Sequence, residues 1–390
     1  MQQTSRWSPQ MVSEWLLREG RFQPDLEAIV CALGKTLVSL NAPVARLRLS
    51  VRTLHPLIAA YSVIWERGKD QARVNKAAHG LEGSSAYIGS PIEFISRTGM
   101  PFRKRLDETL SADDHEILHE LQAAGVTDYV GLPLRFSKGR NANLILNSQE
   151  AGGFSDLDVE GFEVVAETLA PIVEAHNATK ISGAIADAYL GPRTGRLVLD
   201  GRITRGDIQK INAAIFVSDI RDWTGLNNRM CADEALSHAN RYFELIAHAV
   251  EDNDGEVLKL IGDGVLAIFP TSAETETAEA ACANALKAAR QALQLASPAS
   301  DDGADPLRFG IALHFGEVLY GNVGSASRLD FTVLGQAVNI AARIEGLCRD
   351  LDEALLFSPD FASHLDARSR LVARQSLKGH PQEMEILTVA

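Results

Sequence analysis

The order of apolar segments in the second half of the chain is the feature that most constrains its fold. Residues 210–220 form an apolar run, residues 233–251 have helical periodicity, and two short strands then meet at a Gly-Asp-Gly turn. An alanine-rich helix at 272–297 leads to a longer strand at 307–321. Strand, helix, strand, strand, helix, strand is the order of a ferredoxin-like split βαβ sheet. The sequence therefore predicts an α+β fold with a βαββαβ palm.

The elements around this palm are predicted from the same patterns. The helix at 233–251 is expected to bury one side, made of Leu236, Phe243, Ile246 and Val250. A strand at 328–335, a further helix, the strand "ALLFSP" and an alternating edge hairpin complete this half.

The first half has a mixed helix and strand pattern. Helical periodicity at 9–21 and 25–40 is followed by strand-like segments at 45–51 and 60–68. A helix at 113–126 then precedes a hairpin, "YVGLPLRF" and "ANLILNS", and a closing helix. This layout resembles a GAF-like small-molecule sensor domain of mixed α/β structure over residues 1–178. The resemblance implies a regulatory role and a small-molecule ligand that the sequence does not identify.

The closing helix of this half allows two interpretations. Phe162, Val165, Leu169 and Ile172 follow the alternating steps of a helix seam for about two heptads. They either pack on their own domain or form a short parallel dimer stalk. Residues 191–207 are rich in Gly and Arg, so residues 179–207 are predicted to be a helical and Gly/Arg-rich linker to a catalytic domain at 208–390.

Charge and cysteine content exclude several partners. The formal net charge of −13 argues against a broad electrostatic grip on nucleic acid or anionic lipid. The four cysteines are scattered, as expected for reduced thiols in a cytoplasmic protein. No run of about 20 apolar residues occurs, and the N-terminus has no signal-peptide core. We therefore expect a cytoplasmic protein with no nucleic-acid partner and no membrane span.

Two aspartates follow the predicted palm strands. Asp219 lies where the first strand ends, and Asp263 lies in the Gly-Asp-Gly turn. A ferredoxin-like sheet places these strands side by side, so both carboxylates are expected at one spot, where a divalent cation would relieve their repulsion. Asp263 as a plain turn residue and Asp219 as a helix cap are the structural alternatives. The loop "DIRDWTG" also has backbone N–H groups that suit phosphate oxygens.

The helix after residue 335 carries polar residues at helical spacing. Asn339 and Arg343 are four residues apart and share one face, beside Val338, Ile340 and Ala342, which are expected in the core. Taken alone, the pair is interpreted as a surface stripe on an amphipathic helix.

The remaining basic candidates are also expected in solvent when each is taken alone. Alternation along "EVLKLIG" places Leu258 and Leu260 on one side of a strand and Lys259 on the other. Arg328 and Lys378 are interpreted as exposed.

Several motifs together resemble the catalytic domain of class III nucleotidyl cyclases over about residues 205–390. They are "FVSDIRDWTGL", "KLIGDGVLAIF", "HFGEVLYGNVG", "RLDFTVLGQAVNIAARIE" and "LKG", in the order and approximate spacing of that family. The resemblance implies a ferredoxin-like palm, and two such domains associated head to tail with active sites at their interface. The active form is therefore expected to be a homodimer.

The resemblance also implies roles in catalysis. Asp219 and Asp263 match the metal-binding aspartates, with the Ile220 carbonyl as a further ligand, for two Mg²⁺ or Mn²⁺ ions per active site. Asn339 and Arg343 match the pair that orients the ribose and stabilises the transition state.

Other matches concern the nucleotide. Lys259 matches the lysine that recognises the purine, where guanylate-forming relatives carry Glu. Thr332 stands where many adenylyl cyclases carry Asp and where guanylate-forming relatives typically carry Cys; a Thr occurs in one bacterial subclass and favours adenine. Lys378 and Arg328 fall near positions that contact the β- and γ-phosphates.

The expected function is an adenylate cyclase that converts ATP to 3′,5′-cyclic AMP and pyrophosphate under control of the first half. The alternatives are a guanylate cyclase and a catalytically silent cyclase fold that serves as a sensor or binding module. A diguanylate cyclase, which shares the palm topology, would need a GGDEF-like turn where this chain has "IGDGV".

Overall fold

The computed structural model describes residues 7–139, 141–271, 277–296, 307–378 and 382–390. The chain divides into two compact units, Met1–Ala188 and Tyr189–Ala390, which are treated separately below. Of the helix predicted at 272–297, residues 272–276 and 297 lie outside the described residues. In the described ranges, no helix has the length and apolarity needed to cross a membrane.

The first unit is built on a six-stranded antiparallel sheet in the order β3-β2-β1-β6-β5-β4. Its strands are β1 Arg46–Arg52, β2 Ile58–Glu66, β3 Arg73–Ala78, β4 Phe102–Arg105, β5 Asp128–Arg135 and β6 Asn141–Ser148. Its helices are α1 Pro9–Arg18, α2 Leu26–Ser39, α3 Pro91–Thr98, α4 Glu116–Ala123 and α5 Asp156–Leu190. The sequence patterns identified four of these strands but not β3, β4 or the short helix α3.

The two faces of this sheet differ because side chains alternate along each strand. On β1, Leu47, Leu49 and Val51 are buried in the core formed with α1, α2 and α5. The other face carries Arg48 and Ser50 and is partly covered by α3 and α4.

The closing helix of the first half is α5, and its apolar seam belongs to this core. Phe162, Val165, Leu169 and Ile172 are all buried in the same cluster as the apolar face of β1. The seam therefore packs on its own unit, which decides against the dimer stalk for these four residues.

The second unit has an eight-stranded sheet whose central order is β10-β7-β9-β8. Its strands are β7 Ile208–Ile220, β8 Glu256–Ile261, β9 Gly264–Pro270, β10 Phe309–Gly324, β11 Leu329–Leu334, β12 Leu355–Phe357, β13 Ser369–Ser376 and β14 Glu383–Val389. Its helices are α6 Pro192–Leu199, α7 Trp223–Arg229, α8 Ala232–Glu251, α9 Ala278–Ala296, α10 Gln336–Asp350 and α11 Pro359–Ala362. The four predicted palm strands correspond to β7, β8, β9 and β10, so their order in the sheet is 4-1-3-2. Each neighbouring pair is antiparallel, and the ferredoxin-like palm is therefore confirmed.

Helices cover both faces of the palm sheet. Ala214 and Phe216 of β7 pack with α8 and α9, whereas Ala213 and Ile215 point the other way and pack with α10. The prediction that Leu236 shares the buried side of α8 is wrong, because 60% of this residue is exposed. It lies beyond the edge of the apolar stripe that contains Ile246 and Val250.

The segment before β7 is more ordered than its Gly and Arg content suggested. Helix α6 packs in the second unit through Leu197 and Val198. The Thr194 hydroxyl and the Tyr320 hydroxyl each donate a hydrogen bond to the buried carboxylate of Glu256 on β8. This network joins α6 to two palm strands, because each hydroxyl occupies one carboxylate oxygen.

Gly34 of α2 provides a test of helix-to-sheet packing in the first unit. A Cβ at this position would be much closer to the buried Trp65 ring than van der Waals contact allows. Although alanine favours helices, overpacking should dominate, so Gly34→Ala is expected to destabilise the first unit by about 1–3 kcal/mol.

The matched control is Gly183→Ala in α5, where no atom lies within 4 Å of an added Cβ. That change should stabilise the unit by about 0.5–1 kcal/mol. Urea unfolding of both variants measures the difference, and equal stabilisation by the two alanines would contradict the packing described for α2.

Candidate active site

The two aspartates identified in the sequence meet at one end of the palm. Asp219 is near the end of β7, opposite Gly264 of β9 on one side and Gly310 of β10 on the other. A Cβ on Gly264 would lie 3.0 Å from Asp219 Oδ1. Because both cross-strand neighbours lack side chains, the space around the Asp219 carboxylate stays open toward Asp263.

The environment of Asp219 disfavours its negative charge. Burial, followed by the charge of Asp263 and a hydrogen bond shared with that carboxyl group, raises the pKa of Asp219 to about 6, while a hydrogen bond from the Ile220 backbone opposes the shift. The residue at the N-cap of α7 is Asp222, not Asp219. Asp219 therefore does not cap the helix that follows it.

A third carboxylate, Glu345 of α10, adds to this acidic site. Burial, and next the negative charge of Asp219, raises the pKa of Glu345 to about 7. A Cβ on Gly310 would lie 2.7 Å from Glu345 Oε1, so this carboxyl group sits over the strand that pairs with Asp219. The nearby Arg221 opposes the shift only in part, since its guanidinium also donates to the carbonyls of Cys348 and Glu353.

Glu345 was not among the site residues predicted from the sequence. A glutamate near the end of an amphipathic helix is most simply a solvated residue. The available signal was its position, six residues after Asn339 and two after Arg343, on a helix already expected to carry site residues.

The donor set fits a hard divalent cation that is completed by substrate. In the described ranges, no group of three or more His, Cys, Asp or Glu side chains has the geometry to hold a metal by itself. Mg²⁺ is usually held by one or two protein carboxylates together with substrate phosphates. Asp219 and Asp263, adjacent and mutually repelling, supply that pair.

Asn339 and Arg343 lie on the outer side of α10. Its buried side consists of Ala337, Ile340, Ala341, Ile344 and Cys348. Asn339 is exposed and Arg343 half-buried, and neither side chain has a hydrogen bond or ion pair to another described residue. Of the apolar neighbours expected in the core, Ile340 is buried and Val338 half-buried, but Ala342 is exposed. That part of the prediction is wrong because Ala342 is on the same outer side as the polar pair.

Arg343 and Glu345 point away from one another. Residues that are two positions apart on an α-helix are separated by about 200° around its axis. Glu345 faces the acidic site of its own chain, since its Oε1 lies beside Gly310, the cross-strand neighbour of Asp219. The structure thus does not bring Arg343 to the aspartates of the same chain.

Lys259 lies on β8 and has an acidic partner on β11. Its ammonium group forms an ion pair with the carboxylate of Asp330. A bulge between Val257 and Lys259 interrupts the regular register with β9. Leu258 packs with Leu266, the residue opposite Lys259, whereas Leu260 is opposite Val265 and 53% exposed. The prediction that Leu258 and Leu260 lie on one side of the strand and Lys259 on the other is therefore wrong.

Thr332 follows two residues after Asp330 on β11. It is buried, and it lies opposite Gly321 of β10. The alternation of side chains places Asp330 and Thr332 on one face of the strand. Asp330 was missed by sequence analysis, since the pairing of β11 with its neighbours decides which residue reaches Lys259.

Arg328 and Lys378 are both exposed, the first in the turn between β10 and β11 and the second just after β13. In the part of the chain that the structure describes, neither side chain contacts Asp219 or Asp263. Their assignment to the phosphates stays a prediction.

Comparison with known proteins assigns this half of the chain. Residues 208–380 match the family described as the adenylate and guanylate cyclase catalytic domain. The terminal-differentiation specific adenylate cyclase of Dictyostelium discoideum is 31% identical over 192 residues, which cover 47% of this chain and 9% of that protein. Adenylate cyclase 1 of Rhizobium meliloti is 26% identical over 266 residues, which cover 65% of this chain and 39% of that protein.

A solved structure of a bacterial light-regulated adenylyl cyclase aligns with 67% of this chain and 85% of its own, at 24% identity and a TM-score of 0.48. This chain spans well under half the length of the Dictyostelium and Rhizobium adenylate cyclases named above. The family match covers the palm, and the GAF-like interpretation of the first unit stays a prediction. Residues 208–380 form a catalytic domain of the class III adenylate and guanylate cyclase family.

Proposed function

We propose that this chain is an adenylate cyclase, which converts ATP to 3′,5′-cyclic AMP and pyrophosphate as a homodimer. The observation that carries the proposal is the pair Asp219 and Asp263, two adjacent carboxylates kept open by glycine neighbours. The matching relatives named adenylate cyclase support adenine as the base. The free, scattered cysteines are in keeping with a reducing, cytoplasmic location.

Asp219, Asp263 and the Ile220 carbonyl would hold two Mg²⁺ or Mn²⁺ ions. When bound, such ions lower the pKa of the ribose 3′-hydroxyl and neutralise the triphosphate. The role of the protein residues is to collect two negative charges at one place and to keep them partly shielded from water.

Arg343 and Asn339 would serve the reacting groups. In the proposed reaction the 3′-oxygen attacks the α-phosphorus in line, and pyrophosphate leaves. Arg343 would donate to the negative charge that grows on the α-phosphate, and Asn339 would orient the ribose. Both side chains are available for this, since they have no described partner in the same chain.

The geometry of α10 supports a site shared between two copies. Glu345 faces the aspartates of its own chain and Arg343 faces away from them. If Arg343 acts on a nucleotide, that nucleotide must therefore be bound to Asp219 and Asp263 of another copy of the chain. Two copies related by a two-fold axis would form two equivalent sites.

Lys259 and Thr332 would recognise the adenine. The lysine ammonium can donate to a ring nitrogen, and the threonine hydroxyl can accept from the amino group at position 6. Asp330 would act as a positioning residue, because its ion pair holds the Lys259 side chain beside β11.

A product assay tests the proposal. The purified full chain with Mg²⁺ or Mn²⁺ should convert ATP to cyclic AMP and pyrophosphate, and GTP should give at least about tenfold less product, because Lys259 and Thr332 match the adenine pattern. Chromatography of the products measures both. A preference for GTP would establish the guanylate cyclase alternative, and no product from either nucleotide would overturn the enzymatic function.

Mixing of variants tests the shared site. Asp219→Ala is expected to abolish turnover, and Arg343→Ala to lower it by about 10²–10³. With random exchange, half of the dimers are mixed and each has one intact site of two, so the mixture should recover about a quarter of the wild-type activity.

The matched control mixes Asp219→Ala with Asp263→Ala. These changes affect the same half of each site, so no dimer contains an intact site and activity should not return. Equal recovery in both mixtures, or none in either, would contradict the shared arrangement, and sedimentation checks that all variants remain dimeric.

The raised pKa values of Asp219 and Glu345 predict how metal binding depends on pH. A carboxyl group with a raised folded-state pKa contributes stability at low pH, which is lost as the pH rises through that pKa. In a chelator, the second unit should therefore lose stability between about pH 4 and pH 7, from the unfolded-state pKa values up to the folded-state ones. Mn²⁺ should restore several degrees of melting temperature at the upper end and little at the lower end.

Asp219→Asn should remove most of the response to Mn²⁺, whereas substitution of the exposed Asp350 on α10 by Asn should not. Differential scanning fluorimetry with and without the metal provides the measurement. A metal response that is identical in the two variants would exclude Asp219 as a ligand.

A further inference from the structure

The first unit contains a cavity of about 320 Å³ on the sheet face opposite its main core. Strands β1, β2, β3, β5 and β6 form its floor, and α3, α4 and the segment between β3 and α3 form its walls. Its volume lies at the small end of ligand pockets in proteins. The floor carries an unusual row of charge, since Arg46, Arg48 and Arg52 occupy alternate positions of β1 and line the same cavity.

The outer two arginines of this row have acidic partners. A carboxylate oxygen of Glu66 lies 3.9 Å from Arg46, and one of Glu82 lies 2.8 Å from Arg52. These two charges are therefore balanced at least in part by the protein itself.

Arg48, in the middle of the row, has no carboxylate partner among the described residues. Its guanidinium donates to the hydroxyls of Ser50 and Ser62, both at 3.1 Å, and these two hydroxyls are hydrogen-bonded to one another at 2.8 Å. Burial is the main cause that lowers the pKa of Arg48; the nearby Tyr129 opposes this shift, and the charge of Arg73 adds to it. The half-buried side chain is thus oriented into the cavity by neutral groups, and no carboxylate of the described residues compensates its charge.

A second polar group in the cavity also lacks a partner. Asn143 of β6 is only 4% exposed, and its Nδ2 donates to Ser96 at 3.0 Å, but among the residues that the structure describes none donates a hydrogen bond to its Oδ1. Buried amide oxygens are nearly always paired. Most of the remaining lining is apolar, including Ile92, Ile117 and Ile145.

We propose that this cavity binds a small organic carboxylate with an apolar body. Arg48 would pair with the carboxylate through its planar fork, and Asn143 would accept a hydrogen bond from a hydroxyl or amino group of the same molecule. The site goes beyond the cyclase activity and does not depend on it, so the test below measures binding and not turnover.

The charge around the cavity favours a single carboxylate over a phosphate-rich ligand. Four cationic side chains, Arg46, Arg48, Arg52 and Lys76, line the cavity together with the carboxylates of Glu82, Glu116 and Glu120. The positive charges exceed the negative ones by only one, which matches a single carboxylate and leaves a multiply charged anion without full compensation. The apolar lining would contact the body of the ligand and exclude water from the ion pair.

Matched probes test the proposal on the full chain. We would titrate 4-hydroxybenzoate and 6-hydroxyhexanoate, each against its neutral amide and against inorganic phosphate at equal ionic strength, by calorimetry and thermal shift. At least one carboxylate should bind and raise the melting temperature, whereas its amide and phosphate should bind at least about tenfold more weakly.

Two variants connect binding to Arg48. Arg48→Met should weaken the carboxylate by about 10- to 100-fold, and Arg48→Lys, which keeps the charge but not the fork, should lose less. Arg135→Met removes the same charge from β5 of the same sheet outside the cavity lining and should bind as the wild type does.

The outcomes are distinguishable. Equal binding of acid and amide, binding of phosphate in preference, unchanged affinity in Arg48→Met, or no binding of either carboxylate would each overturn the proposal. If Arg48→Met does not fold, the wild-type comparison of acid with amide and the Arg48→Lys variant still decide it. An active cyclase without carboxylate binding would refute this site alone, and binding without cyclase activity would refute the proposed function alone.

Discussion

The second unit is organised around two carboxylates that its sheet forces together. Asp219 and Asp263 are adjacent because β7 and β9 are neighbours in the palm, and the glycines opposite Asp219 leave no side chain to separate them. Burial and mutual repulsion make this arrangement unfavourable when both groups are ionised. The antiparallel ladders of β7 with β9 and β10 hold the pair in place against that repulsion, so the stability of the palm is what maintains the site.

Helix α10 contributes to this arrangement through its periodicity. Residues two positions apart on a helix face opposite ways, so one short segment directs Glu345 inward and Arg343 outward. The inward carboxyl group adds to the acidic site of its own chain. The outward guanidinium is left without a partner there, which is the physical reason for expecting a second copy. A single helix thus serves two sites if the chain is a dimer.

The extent to which sequence predicts this protein depends on whether an interaction is encoded along one element or between elements. The palm was predictable because its strand and helix order is local, and the meeting of Asp219 with Asp263 followed from the topology alone. Glu345 and Asp330 were not predictable in the same way, since each acts through a neighbour that only the packing of α10 or the pairing of β11 brings close. The exposure of Leu260 depended on a bulge in β8 that strict alternation does not anticipate. The short strands β3 and β4 were missed because their few residues show no alternation of buried and exposed side chains. Helix α3 is amphipathic and begins at a Ser90 cap, but its eight residues make only about two turns.

The first unit also holds a charged side chain whose charge is not neutralised by its neighbours, in this case Arg48 on β1. Alternation along β1 gives one face to the core and places Arg48 on the other, where two serines orient it without neutralising it. An anion that binds only the folded state would stabilise this unit by mass action. Stabilisation alone would not regulate catalysis, because a ligand shifts a conformational equilibrium only by its difference in affinity for the two forms. The wall between β3 and α3 is the part of the cavity least constrained by packing, since it is built from turns with left-handed glycines at Gly80 and Gly89 and has mostly exposed side chains. A ligand would therefore most readily differ in affinity for two conformations of this unit if the position of this wall differed between them. Its attraction to the charge of Arg48 would be the same in both conformations.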